Sequence, residues 1–213
     1  MHFPSDDHRS SVLYPLEFHA VRAYNTTLHP TTFQLKVSLT PAHFDKRTPM
    51  VVEEKSEEGL QRLTFWKDTI LDNCVIVDIN SELVGSIVGA VDNNMMFCPG
   101  GPTDHLLVEL LHAKISAILK GYFDIHAITL SSTDTHGIET SFRSVDGYAL
   151  PGIEYFPEEA LHSAPWWERD TIEICEFVKG AILEDELFNH FSDYFGKKEA
   201  DIIIFRADGE DED

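Results

Sequence analysis

The feature that most constrains the fold is a pair of alternating segments separated by a short polar stretch. In residues 33–40, "FQLKVSLT", every second position is apolar, and residues 13–24 alternate in the same way. Residues 25–32, "NTTLHPTT", lie between them and are rich in turn-forming types. A period of two is that of a strand with one buried face. The two segments therefore predict an antiparallel pair of strands.

The rest of the first 150 residues alternates between helical and extended patterns. Helices are predicted at 60–73, 81–92 and 103–120, and strands at 74–79, 124–132 and 138–144. Thr103 and Asp104 are favourable residues for starting the last helix, and Gly121 is typical of a helix end. Residues 92–102 predict a loop, and residues 41–59 an excursion from the core.

The order of these elements predicts an α+β fold, a four-stranded antiparallel sheet with two helices on one face. This domain spans residues 1–150, with an insertion at about 41–72. Residues 151–206 are rich in aromatic and acidic residues and predict a C-terminal extension packed on the domain. Residues 207–213, "ADGEDED", predict a disordered acidic tail. Because the outer face and edges of such a sheet need a cover, we expect a homo-oligomer.

Charge and cysteine content limit the classes of partner and the compartment. The formal net charge of -21 makes nucleic acid an unfavourable partner, because phosphate attraction depends on Lys and Arg. Three cysteines without a CxxC pair disfavour a disulfide framework or a four-cysteine zinc site, and reduced thiols suit the cytoplasm. The sequence shows no signal-peptide pattern and no apolar run long enough to span a membrane, so we expect a cytoplasmic protein without a membrane partner.

Five short stretches of this chain match one known family in sequence order. They are "FHAVRAY" (18–24), "LHPTTFQLKV" (28–37), "VIVDI" (75–79), "VDNN" (91–94) and "PTDH" (102–105). Together they resemble the tunnelling fold of the 6-pyruvoyl tetrahydropterin synthase and 6-carboxytetrahydropterin synthase family. The resemblance spans about residues 13–144.

The resemblance implies that the metal site of the family is altered in this chain. That family binds zinc through three histidines on its first two strands, and the matching positions here are Arg22, His29 and Thr31. His29 is the remaining candidate metal ligand, and an arginine at the first position would repel a zinc ion. The family's reactive cysteine falls near Asn25. No cofactor is therefore expected, and the zinc-dependent chemistry is predicted to be lost.

The resemblance also implies a pocket for a heterocyclic ring. The family's Asp-His pair falls on Asp92 and Asn93, and its ring-anchoring glutamate falls near Ser132, with Glu139 across the next turn. The ligand-binding candidates are therefore Arg22, Asp92, Ser132 and Glu139. No catalytic residue is assigned, and whether the protein is an enzyme stays open.

Two further groups of residues could carry chemistry. Asp134 and His136 could form an acid–base pair, although "TDTHG" (133–137) is also ordinary turn sequence. Cys98 could act as a nucleophile with His105, which follows at the start of the next helix.

Three functions remain open at this point. The first is a diverged pterin-synthase-like protein that lacks the zinc-dependent chemistry and binds a purine- or pterin-like ring as a homo-oligomer. The second is an active zinc-dependent lyase of the 6-pyruvoyl tetrahydropterin synthase type, with zinc as its cofactor. The third is a non-enzymatic acidic binding or assembly protein.

Overall fold

The computed structural model describes residues 11–24, 26–42, 49–87, 95–143 and 165–170. The elements in these ranges are, in chain order, β1 (Val12–Tyr24), β2 (Thr27–Pro41), α1 (Pro49–Trp66), β3 (Val75–Asp78), α2 (Val84–Ile87), β4 (Met95–Cys98), α3 (Asp104–Ile118), β5 (Phe123–Ser132) and β6 (Thr140–Arg143). One π-helical turn, Lys67–Leu71, continues α1.

The strands form one mixed sheet with the order β4-β3-β1-β2-β5-β6. The pairs β1–β2, β2–β5 and β5–β6 are antiparallel, as predicted. Strand β3 pairs parallel to β1, and β4 parallel to β3. The described sheet therefore has six strands, and the predicted number of four was wrong. Residues 95–98 form β4 within the predicted loop. The sequence does not reveal this strand, because a strand that is buried on both faces shows no alternation of apolar and polar residues.

The hairpin of β1 and β2 confirms the predicted antiparallel pair. Phe18 lies opposite Phe33 in the register, and their rings stack with centroids 4.6 Å apart. The pairing continues to Tyr24 opposite Thr27, so most of the predicted turn belongs to β2. The alternation then places Phe18, Phe33 and Leu35 in the core, where each is at most 1% exposed.

The two long helices, α1 and α3, pack on the same face of the sheet. Helix α3 is one of the two helices predicted there, whereas α1 lies in the predicted insertion. The Tyr14 hydroxyl on this face lies 3.1 Å from the Thr64 hydroxyl of α1, and Ser132 of β5 donates a hydrogen bond to Asp104 of α3. Helix α1 begins at Pro49, earlier than the predicted start, and so occupies part of the predicted excursion. The predicted helix at 81–92 is represented by the short α2, and residues 88–92 lie outside the described ranges.

Helix α3 begins where the sequence predicts. The Thr103 side chain caps it by accepting a hydrogen bond from the Leu106 backbone N–H at 3.3 Å. Past its end, Gly121 has a φ of 84°, a left-handed conformation that glycine adopts without a steric penalty. No helix in the described ranges is long and apolar enough to cross a membrane.

Residues 165–170 pack against α3 and β4. The buried Lys114 ammonium of α3 donates hydrogen bonds to the Trp166 and Arg169 carbonyl oxygens at 2.9 and 3.0 Å. The Trp166 indole N–H donates to the Phe97 carbonyl of β4 at 2.9 Å. The rest of the predicted extension at 151–206, and the tail at 207–213, lie outside the described residues.

Candidate binding site

A buried ion pair joins β1 to the start of α3. Arg22 shares the core face of β1 and is 1% exposed, and its Nη2 donates to the Asp104 carboxylate. Its Nη1 donates to the Tyr24 hydroxyl at 3.2 Å, and its guanidinium lies 4.5 Å from the centre of the Phe33 ring. A buried charge is tolerated only when it is paired and hydrogen-bonded, and this arrangement meets both conditions.

The Asp104 carboxylate is the centre of this polar network. While one oxygen accepts from Arg22, the other accepts from the Ser132 and Thr135 hydroxyls, both at 2.9 Å. Asp104 also lies in the first turn of α3, where the helix dipole favours a negative charge. The network therefore ties β1, the end of β5 and the start of α3 to one another.

A second carboxylate lies beside the ion pair. Asp134 accepts a hydrogen bond from the Thr31 hydroxyl at 2.7 Å, and it lies 3.6 Å from Arg22 Nη1. The Thr31 hydroxyl thus positions the Asp134 carboxylate at the edge of the network. The turn predicted at 133–137 is confirmed, with His136 and Gly137 at φ values of 54° and 77°. Among the described contacts, no hydrogen bond joins Asp134 to His136.

His29 lies opposite Arg22 in the strand register, two residue pairs from the turn that closes the hairpin. It is exposed, its Nε2 lies 2.8 Å from the Thr27 hydroxyl, and its ring meets Tyr24 edge to face. His19 lies on the opposite face of the hairpin, with its Nδ1 3.0 Å from the Thr32 hydroxyl. Nowhere in the described ranges do three His, Cys, Asp or Glu side chains converge on a metal position. His29 as a metal ligand stays a prediction.

The four predicted ligand-binding residues occupy different places. Arg22 and Ser132 meet at Asp104. Glu139 instead pairs with Lys36 at 2.5 Å, and Lys36 belongs to the face of β2 that carries no helix. Asp92 lies outside the described residues.

An open cleft lies beside the turn between β5 and β6. Its volume is about 290 Å³. We call it the turn cleft; its lining residues are Thr32, Gln34, Ser131, Ser132, Thr133, His136 and Gly137. Gln34 and Lys36 are two positions apart on β2 and therefore share a face, so the Lys36–Glu139 ion pair lies next to this cleft.

A second cleft lies where β1, β3 and β4 end. Its volume is about 370 Å³. We call it the strand-end cleft; its lining residues are Ala23, Tyr24, Thr26, Asp78, Asn80, Ser81, Glu82, Gly101 and Pro102. The Tyr24 hydroxyl donates to the Pro102 carbonyl at 2.8 Å while accepting from Arg22, so the buried network borders this cleft as well.

The structure does not support Cys98 as a nucleophile. Cys98 is fully buried, and burial raises the pKa of its thiol well above its usual range, so the reactive thiolate is disfavoured. His105 is instead on the surface, where its Nε2 lies 3.3 Å from a carboxylate oxygen of Glu109. The neighbouring Asp104 is committed to Arg22.

The sequence did not reveal Asp104 as the partner of Arg22. An arginine at a core position of a strand signals that a counter-ion must be near. The partner lies 82 residues away in a chain with 37 acidic residues, and the sequence shows Asp104 only as a favourable helix start.

No protein-family model matches this chain, and no curated protein sequence is significantly similar to it. A solved structure described as a structural analysis of Plasmodium falciparum 6-pyruvoyl tetrahydropterin synthase (PTPS) is similar, with a TM-score of 0.33 and 15% identity. The alignment covers 63% of this chain and 98% of that chain. This is a distant likeness, and nothing about activity follows from it.

Proposed function

We propose that this protein is a diverged pterin-synthase-like protein that lacks zinc-dependent chemistry and binds a purine- or pterin-like ring in the turn cleft. The observation that carries the proposal is the buried Arg22–Asp104 ion pair. Arg22 of this pair occupies the strand position at which the sequence resemblance implies the first metal ligand.

A zinc ion is disfavoured beside this ion pair for an electrostatic reason. The guanidinium of Arg22 is positively charged at every physiological pH, and like charges repel strongly where water is excluded. The two other positions implied by the resemblance hold Thr31, which donates to Asp134, and the exposed His29. A single imidazole falls short of the three protein ligands that catalytic zinc sites use.

A ring with a hydrogen-bonding edge suits the turn cleft. The Gln34 amide offers both a donor and an acceptor, the His136 imidazole can do the same, and hydroxyls of Thr32 and Ser131 accompany them. Purines and pterins carry alternating donors and acceptors along one edge of a flat ring. At about 290 Å³, the cleft is close to the lower end of the size range of small-ligand sites.

The proposal includes assembly of identical chains. Val12 and Leu13 of β1 and Leu28 of β2 are each more than half exposed, with values of 57%, 61% and 53%. Val12 and Leu13 lie at the open end of the hairpin and Leu28 lies next to its turn, so a partner chain that covers the length of the hairpin would remove this apolar surface from water. Native mass spectrometry tests this directly: we expect a single oligomeric species larger than the monomer, and a monomer at all concentrations would contradict it.

Ligand binding is tested by titrating the protein with neopterin and with guanosine while following ligand fluorescence or calorimetric heat. Gln34→Leu removes the amide from the cleft at similar volume and is expected to weaken binding about tenfold, corresponding to about 1.4 kcal/mol. Gln61→Leu on α1 is the matched control and should leave the affinity unchanged. Absence of saturable binding, or equal weakening by both variants, would refute the proposal.

A further inference from the structure

The strand-end cleft lies at the carboxyl ends of three parallel strands. Tyr24 and Asp78 are the last residues of β1 and β3, and Gly101 follows β4 by three positions. Crevices outside the carboxyl ends of parallel strands are the usual ligand sites of open sheets, because the connecting loops diverge there. This cleft is separate from the turn cleft, and no residue lines both.

The lining of this cleft is rich in groups that accept hydrogen bonds. Asp78 and Glu82 contribute carboxylates, Asn80 contributes an amide and Thr26 a hydroxyl. The described lining residues include no Lys, Arg or His. The neighbouring cation, Arg22, is turned into the core and neutralised by Asp104.

The field of the whole chain acts in the same direction. A formal net charge of -21 produces a negative potential that raises the local concentration of cations, most strongly in a concave site. Tyr24 adds an aromatic ring, and an ammonium group over such a ring is attracted to its face.

We propose that the strand-end cleft binds a small organic cation with primary ammonium groups, such as an aliphatic diamine. An ammonium group has three donors and no acceptor, which matches a lining of carboxylate, amide and hydroxyl oxygens. A bare divalent metal is a poorer match, because it needs converging oxygen ligands around a single point and the described residues show no such group. A volume of about 370 Å³ instead suits an organic molecule.

The charge requirement is tested by calorimetric titration with putrescine and with butane-1,4-diol, which has the same chain length without the charge. We expect saturable binding of putrescine and no binding of the diol. Asp78→Asn and Glu82→Gln should each weaken putrescine binding about tenfold, whereas Glu54→Gln on α1, with the same change in net charge, should leave it unchanged. Equal weakening by Glu54→Gln, binding of the diol, or no saturable binding would overturn the proposal.

A steric variant tests the location independently of charge. A Cβ built on Gly101 meets nothing within 4 Å, and its backbone does not require glycine, so Gly101→Leu can extend into the cleft without disturbing the core. We expect Gly101→Leu to abolish putrescine binding with little change in thermal stability. Retained binding in this variant would refute the assignment to this cleft. Because the probes and the residues differ, neopterin binding at the turn cleft can fail or succeed independently.

Discussion

Replacing Asp104 by asparagine should destabilise the protein strongly. The guanidinium of Arg22 is 1% exposed, and without the Asp104 charge its nearest described carboxylate is Asp134, at 3.6 Å from Nη1 and partly solvated. Removing one partner of a buried ion pair costs about 3–5 kcal/mol, because the other charge stays buried without compensation. That is a large share of the stability of an ordinary domain, which is about 5–15 kcal/mol.

A double-mutant cycle separates the ion pair from the other contacts of Asp104. Arg22→Met leaves the Asp104 carboxylate buried with only the Ser132 and Thr135 hydroxyls as donors, so it should cost a similar amount. The double variant buries neither charge, and its cost should fall short of the sum of the two single costs by about 2 kcal/mol or more. The free energies come from urea unfolding, followed by circular dichroism and tryptophan fluorescence. Additivity of the two single costs within about 0.5 kcal/mol would refute the reasoning.

Three further predictions concern buried groups outside this pair. Burial lowers the pKa of His112 below 6.5, so as the pH falls the histidine is protonated in the unfolded chain before it is protonated in the folded one, and the free energy of unfolding should fall as the pH drops through 6.5. His112→Phe should reduce the difference between the free energies of unfolding measured in urea at pH ~5 and at pH ~8. An unchanged difference in this variant would contradict the assignment. Burial raises the pKa of Cys74 to about 12 and that of Cys98 further, so iodoacetamide should label both only after denaturation, and rapid labelling of the native protein would count against the fold. Lys114→Met removes the buried ammonium that donates to the Trp166 carbonyl, so the free energy of unfolding should drop by about 1–3 kcal/mol and the tryptophan emission should shift to the red. If neither the free energy of unfolding nor the emission changes, the contact does not stabilise the fold.

The antiparallel half of the sheet and helix α3 could be predicted because their signals are local. The alternation of β1 and β2 fixes which face is buried, and Thr103 with Gly121 marks the two ends of the helix. The parallel half could not be predicted in the same way. Residues 95–98 are too few and too uniformly apolar to show a period, and their pairing with β3 is set by contacts distant in sequence.

The candidate site could be predicted only in part for a related reason. Arg22 and Ser132 were found through their sequence positions, and both are in the network. Their common partner Asp104 was not, because a counter-ion is selected by three-dimensional packing. Glu139, also expected at the ring pocket, pairs with Lys36 beside the turn cleft, and this placement depends on the register of β5 with β6.

The central claim is that this protein works without zinc, and the metal content of the purified full-length chain tests it most directly. The protein should be produced in zinc-supplemented medium, purified without chelators and analysed by plasma mass spectrometry, with His29→Ala prepared in parallel. We predict zinc well below one ion per chain, with no difference between the two proteins. One zinc ion per chain that is lost in His29→Ala would contradict the account and favour an active zinc-dependent lyase.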